Sequence, residues 1–222
     1  MKRIASFVYM WAIASLLRFP QVSRAQIPAS YFGIHISNPG GFPLKVKYAN
    51  FRNLGSGQAW WRLNTCNAPH TSADCKSNPA ANSSFNFGTL DAILTEIKTA
   101  GVNDILFTLA NTPAWAASYT PPRGTCTVPP ASCILPPDIN PDGSGANAIW
   151  DNWVEHIAAH VNNPTWLQTH AHVKYWEPWN EVFSDLTISG CCPAQSSTGT
   201  YAQHLRLTED TRCLIVGTEN DP

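Results

Sequence analysis

Apolar residues recur at helical spacing in two long segments of the chain. In residues 87–100 they are Leu90, Ile93, Leu94 and Ile97, and in residues 149–161 they are Trp153, Ile157 and Val161. Side chains three or four positions apart lie on one face of a helix, so each segment is predicted to be an amphipathic helix. Gly101 is predicted to end the first helix, and residues 201–212 are predicted to form another.

Short apolar runs between these segments predict strands. There are five of them, at residues 31–36, 59–63, 104–109, 172–179 and 213–217. A long loop that contains many prolines separates the third strand from the helix at 149–161. Strands that alternate with helices are typical of a parallel β/α architecture. The sequence shows no repeat of fixed period and no second domain.

Composition and charge narrow the function classes. The chain has 222 residues, of which 13% are charged, with a formal net charge of −1 and nine tryptophans. That length suits one domain and is short for a complete (β/α)8 barrel of about 250 residues. The absence of a basic stripe disfavours nucleic acid and anionic membranes as partners.

The first 25 residues have the pattern of a secretory signal peptide. Lys2 and Arg3 precede an apolar run over residues 4–17, and Ser23-Arg24-Ala25 offers a cleavage site. The run is shorter than a membrane span of about 20 residues. We therefore expect a secreted protein, extracellular or periplasmic, whose mature part is residues 26–222 and has no membrane anchor.

Seven cysteines, all after the predicted cleavage point, agree with an oxidising compartment. Cys66 is predicted to pair with Cys75, and Cys126 with Cys133, because each pair brackets a short loop. The pairing of Cys191, Cys192 and Cys213 stays open. The sequence contains no CxxC pair that a second CxxC or an HxxxH pair could complete, which disfavours a zinc site.

The run from His172 to Glu181 carries the candidate chemistry. It predicts a buried strand that ends in Trp179-Asn180-Glu181. Apolar neighbours raise the pKa of a carboxyl group, so Glu181 suits a general acid that keeps its proton near neutral pH. Asn180 adds a hydrogen-bond donor and acceptor beside it. These residue types suit cleavage of a glycosidic bond.

Two segments together resemble a known family. The segment from Asp91 through Gly101-Val-Asn-Asp-Ile-Leu-Phe-Thr-Leu-Ala-Asn-Thr-Pro-Ala-Trp-Ala116, followed by Tyr175-Trp-Glu-Pro-Trp-Asn-Glu181, looks like the retaining glycoside hydrolases of the large (β/α)8 clan. It is most similar to glycoside hydrolase family 39. The resemblance implies a TIM barrel, of which this chain holds about the first five strands, and a substrate that is an oligo- or polysaccharide. It implies no metal or organic cofactor.

The resemblance also assigns roles to individual residues. Glu181 is implied to be the general acid/base, and Asn180 to contact the sugar 2-hydroxyl. Arg62, at the end of the predicted second strand, matches the arginine that lies against the nucleophile in such enzymes. The sugar subsite is implied to be lined by His35, Asn111, Trp115 and Trp179, although the two tryptophans fit a core role almost as well.

Retaining chemistry needs a second carboxylate about 5.5 Å from the first. Glu177 lies four strand residues before Glu181, about 13 Å away along the strand, so it is predicted to be a structural partner of Arg62 or Lys174. In the family the nucleophile follows the seventh strand, which lies beyond the five expected here. Glu219, Asp138 and Asp142 are other candidates, although each also fits a loop or turn role.

Two alternatives to a glycosidase remain open. One is a carbohydrate-binding pseudoenzyme that keeps the aromatic residues and lacks the nucleophile. The other is an inactive, truncated fragment whose open strand edges favour aggregation. The sequence does not indicate the sugar, the linkage, endo or exo action, or the oligomeric state.

Overall fold

Four parallel strands form the sheet at the centre of the described structure. The computed structural model describes residues 33–36, 50–53, 60–66, 71–79, 84–102, 104–123, 125–126, 131–179 and 197–218. The strands lie in the sheet in chain order; they are β1 (Gly33–Ile36), β2 (Asn50–Asn53), β3 (Asp104–Thr108) and β4 (His172–Glu177). Every neighbouring pair is parallel. The predicted parallel β/α arrangement is therefore found, and its closure into a barrel stays a prediction.

Helices connect and cover these strands. They are α1 (Trp60–Leu63), α2 (Ser72–Ser77), α3 (Gly88–Thr99), α4 (Ala148–Val161), α5 (Pro164–Leu167) and α6 (Tyr201–Thr218). The predicted helices at 87–100 and 149–161 are confirmed as α3 and α4, and all seven of their predicted inward residues are buried. Gly101 follows α3 at φ 83°, a conformation that favours glycine at the end of a helix.

The larger of two hydrophobic clusters among the described residues combines side chains of the sheet and of the helices. Ile105, Phe107 and Val173 point from the sheet into it and are at most 1% exposed. Tryptophans dominate the core, since Trp60 stacks on Trp153 with ring centroids 5.8 Å apart and meets Trp150 edge-on at 5.6 Å. Residues of α4 and of β3 and β4 thus share one core.

The predicted second strand at residues 59–63 is wrong. Residues 60–63 form α1, a single helical turn, and the second strand is instead β2. Trp60 and Leu63 are both buried, at 0% and 1% exposure. Residues three apart share a face in a helix and lie on opposite faces of a strand, so only the helical turn buries both. Aromatic residues favour a strand, but here the burial of Trp60 and Leu63 outweighs that preference.

The predicted fifth strand at residues 213–217 is also wrong. These residues continue α6, which extends to Thr218. The buried residues of α6 are His204, Leu207, Thr211 and Ile215, whereas Cys213 is exposed. Their spacing of three or four residues is that of a helix, which packs on α4.

β4 is shorter and less buried than predicted. It ends at Glu177, and its ladder with β3 is irregular between Ile105 and Leu106. Residues four apart on a regular strand would share one face, yet Tyr175 is 47% exposed whereas Trp179 is 5% exposed. Trp179 lies beyond the strand, where the alternation of a strand no longer applies.

Both predicted disulfides are present, Cys66–Cys75 and Cys126–Cys133. Cys213 is a free thiol, and Cys191 and Cys192 lie outside the described residues, as does the predicted signal segment 1–25. The disulfides agree with the oxidising compartment expected for a secreted protein. Among the helices described, none is long and apolar enough to span a bilayer.

Candidate functional site

The carboxyl ends of β3 and β4 meet at one edge of the sheet. Thr108, the last residue of β3, donates its hydroxyl to Oε2 of Glu177, the last residue of β4, at 2.6 Å. The next residue, Leu109, donates its N–H to the carbonyl of Glu177 at 2.8 Å. Glu177 is therefore a half-buried group that joins the two strand ends, and Lys174 pairs instead with Asp104 at 3.0 Å.

The segment after β3 turns sharply at the same edge. Asn111 has φ 71°, in the left-handed region that asparagine tolerates better than most residues. The carbonyl of Pro113 accepts the N–H groups of Ala116 and Ala117, which folds Thr-Pro-Ala-Trp into a turn. This turn brings Trp115 back toward the core.

Trp115 is held by a hydrogen bond and by ring packing. Its indole N–H donates to the carbonyl of Asn64 at 2.9 Å, and its ring meets Trp60 edge-on at 6.4 Å. It is 7% exposed. The ring therefore presents little surface, and its role as a sugar platform stays a prediction.

Trp179 follows β4 and is also buried. Its ring lies 5.9 Å from that of Trp150 on α4 and 5.7 Å from that of His204 on α6. Asn180 and Glu181 come directly after it and lie outside the described residues. The described chain therefore fixes the backbone one residue before the two candidate catalytic residues.

The predicted substrate residues Arg62 and His35 lie in different surroundings. Arg62 is on α1 with an exposed side chain, and so is not at the end of a strand. His35 is on β1, as predicted. The ladder places His35 opposite Arg52 of β2, and Arg52 opposite Leu106 of β3.

The sequence analysis did not predict the strand β2, nor Arg52 as a candidate site residue. Only one residue of Asn50–Asn53 is apolar, so the segment lacks the alternation that marks a strand. A segment with an asparagine at each end is more typical of a loop. The segment between β1 and α3 is long enough to contain a further strand, and this length could have indicated β2.

Two acids offered as alternative nucleophiles have structural roles. Asp138 accepts the N–H of Ile149 at 3.0 Å in the first turn of α4. Asp142 is exposed and accepts from both the N–H and the hydroxyl of Ser144, which lowers the pKa of its carboxyl. Glu219 lies outside the described residues, after a helix and not after a strand.

His204 joins Trp179 to the segment that precedes α6. Its Nε2 lies 2.7 Å from the hydroxyl of Ser197. The side chain is 5% exposed, and burial lowers the pKa of its imidazole to about 4. His204 is therefore neutral near pH 7.

The histidines of α4 pack against aromatic rings. His156 stacks on Phe85 at 4.3 Å, and His160 stacks on Phe87 at 4.2 Å while its Nε2 lies 2.7 Å from Asp91. Within the part of the chain that the structure describes, no three His, Cys, Asp or Glu side chains group as metal ligands would.

The chain matches no family model, no curated protein and no solved structure.

Proposed function

We propose that the protein is a secreted retaining glycosidase that hydrolyses O-glycosidic bonds of an oligo- or polysaccharide, with Glu181 as its general acid/base. One observation carries the proposal. β4 is the fourth strand of a parallel sheet in chain order, and Trp179 is packed in the core immediately before Asn180 and Glu181. Active sites of (β/α)8 enzymes are built at the carboxyl ends of such strands.

The mechanism has two steps. A carboxylate from another strand attacks the anomeric carbon while Glu181 protonates the leaving oxygen, which gives a covalent glycosyl-enzyme. Glu181 then takes a proton from the water that hydrolyses this intermediate. Asn180 contacts the sugar 2-hydroxyl, and no metal or organic cofactor takes part.

Arg52 replaces Arg62 in this proposal as the arginine that lies against the nucleophile. The resemblance requires an arginine on the second strand, and Arg52 is on β2 whereas Arg62 is exposed on α1. His35 lies opposite Arg52 in the ladder, and Asn111 follows β3 at the same edge as Glu177. Both remain sugar-contact candidates.

Substitution of Glu181 tests the proposal. Glu181→Gln should lower hydrolysis of unactivated oligosaccharides by a factor of at least about 100, because general acid catalysis typically contributes 10²–10⁴. Glu209→Gln is the matched control, since Glu209 is an exposed acid on α6. Glu181→Ala with an activated aryl glycoside and sodium azide should yield a glycosyl azide of retained configuration.

The outcome that contradicts the proposal is equally specific. If Glu181→Gln hydrolyses every glycoside in a broad panel as fast as Glu209→Gln, Glu181 is not the acid/base. If the parent protein binds oligosaccharides and hydrolyses none, the carbohydrate-binding pseudoenzyme is the correct reading.

A further inference from the structure

We infer that a pocket between the β3–α4 loop and the start of α6 is a subsite for a neutral sugar residue of the substrate, next to the residue whose bond is cleaved. This inference rests on the proposed glycosidase function and names the class of sugar that this function does not specify. The pocket has a volume of about 330 Å³. That lies at the lower end of the range for ligand sites, about 300–1,000 Å³.

The walls of the pocket are held in place before any ligand binds. Ser118 donates its N–H to the carbonyl of Leu135 at 3.0 Å, and Gln203 donates its side-chain amide to the carbonyl of Ile139 at 2.9 Å. The hydroxyl of Thr200 donates to the carbonyl of Pro141 at 2.6 Å. The three prolines of the lining restrict the backbone further. A preformed pocket loses little entropy on binding.

The chemistry of the lining suits a neutral sugar. Tyr119 is 52% exposed and offers an aromatic ring, and the exposed Ser118 and Asn140 carry groups that can bond to hydroxyls. A sugar ring has an apolar C–H face and polar edges, and so can use both kinds of surface. A tyrosine supplies an apolar body with a polar tip.

The lining also disfavours an acidic sugar. None of the described residues that line the pocket is charged. A carboxylate that leaves water without a cationic partner loses much solvation free energy. A uronate or a sulfated sugar would therefore bind less well here than an uncharged sugar.

A single residue, His204, lies between the pocket wall and Trp179. Gly199 lines the pocket, and a Cβ on Gly199 would lie 2.8 Å from Nε2 of His204 and would also overlap the side chain of Leu135. His204 in turn contacts the ring of Trp179. His204 thus packs between the pocket wall and Trp179, the residue that precedes Asn180 and Glu181 in the chain. On this basis we assign the pocket to a neighbouring sugar of the same substrate chain.

Binding to a catalytically blocked protein tests the subsite. In the Glu181→Gln background, calorimetry is carried out with neutral xylo-, cello-, manno- and laminari-oligosaccharides and with an acidic oligogalacturonide. We expect at least one neutral series to bind, and Tyr119→Ala to weaken that binding about tenfold or more. Tyr119→Phe should retain most of it. Tyr201→Ala is the matched control, because Tyr201 is 67% exposed and does not line the pocket.

The inference and the proposed function can fail separately. If Tyr119→Ala binds neutral oligosaccharides like Tyr201→Ala, or if the acidic oligosaccharide binds as tightly as the neutral ones, the neutral subsite is overturned. The loss of hydrolysis of unactivated oligosaccharides in Glu181→Gln would still support the enzyme. If instead Glu181→Gln keeps its hydrolysis while binding depends on Tyr119, the proposed function fails and the pocket stands as a sugar-binding site.

Discussion

At the scale of single residues, Arg52 and Arg62 have the same side chain but lie on different elements of the fold. Arg52 lies in the sheet, opposite His35 on one side and Leu106 on the other. Arg62 lies on α1, where its side chain is exposed. Arginine and lysine carry the same charge, but only arginine presents a planar fork that binds a carboxylate through two parallel hydrogen bonds.

Conservative substitution of each arginine by lysine should therefore show which of the two belongs to the proposed site. We expect Arg52→Lys to lower kcat/KM by at least about tenfold, which corresponds to about 1.4 kcal/mol of transition-state stabilisation. Arg62→Lys should change it by less than about twofold. The measurement is steady-state hydrolysis of an aryl glycoside by both variants. An equal effect of the two substitutions, or a larger one for Arg62→Lys, would rule out Arg52 as the site arginine.

The sequence indicated which residues lie near the strand ends, but not how far their side chains are exposed. The sequence placed Asn111 and Trp115 after the third strand, and the structure agrees. It placed Trp179 at the end of the fourth strand, whereas β4 ends two residues earlier, at Glu177. It did not show that both tryptophans are buried, because a strand-end tryptophan fits a core and a platform equally well. Their burial depends on α1, α4 and α6, whose positions no local pattern encodes.

At the scale of elements, α2 shows how a very short helix is held in place. Six residues are too few for a stable isolated helix. Thr71 and Asp74 form a capping box at its start, and Lys76 donates to the carbonyl of Ala117 at 2.6 Å. The disulfide from Cys66 to the buried Cys75 ties the helix to the end of α1.

Removal of that disulfide should loosen α2 and destabilise the protein. Cys66 and Cys75 are nine residues apart, and closing a loop of that length in the unfolded chain is worth about 2–3 kcal/mol. We expect Cys66→Ala/Cys75→Ala to lower the free energy of unfolding by about that amount in guanidinium titrations, and to admit proteolysis near residues 66–79. Cys213→Ala is the control, because Cys213 is a free and exposed thiol. Equal stability of the double variant and the control would contradict the prediction.

Long elements were predictable from the sequence, and the shortest ones were not. α3 and α4 repeat their apolar positions over about two turns or more, which favours a helix in both. Residues 60–63 and 213–217 are runs of four or five residues, which are too short for periodicity to separate a strand from a helix. In both, burial three or four residues apart decides for the helix, and that burial depends on tertiary contacts.

At the scale of the whole molecule, the half-buried Asp151 on α4 and the buried His204 on α6 respond oppositely to pH. Burial, together with the negative charge of Asp210, raises the pKa of Asp151 to about 7, while Arg206 acts in the opposite direction. Among the described residues, Oδ1 of Asp151 has no hydrogen-bond partner. Burial lowers the pKa of His204 to about 4.

The signs follow from linkage. Between about pH 4 and 7 the folded protein keeps a proton on Asp151 that the unfolded chain releases, so this group makes the protein less stable as the pH rises. Between about pH 4 and 6.5 the unfolded chain protonates the histidine that the fold keeps neutral, so His204 makes the protein more stable as the pH rises. One proton contributes at most about 1.4 kcal/mol per pH unit, and for the partly exposed Asp151 solvent screening reduces this.

The two contributions should offset each other in the parent protein and appear separately in variants. We expect Asp151→Asn, which leaves His204 unopposed, to gain stability more steeply than the parent from pH 4.5 to 6.5. His204→Gln, which leaves Asp151 unopposed, should gain less or lose stability over the same range. Urea unfolding at several pH values measures these slopes, and Glu96→Gln on the exposed face of α3 is the control. If all four proteins change in parallel, neither group has a shifted pKa. If the two variants deviate in the reverse directions, the shifts have the opposite signs. A decrease in slope for His204→Gln together with an increase for Asp151→Asn would establish that both groups contribute to the pH dependence of folding, with the opposite signs expected from burial of an acid and of a base.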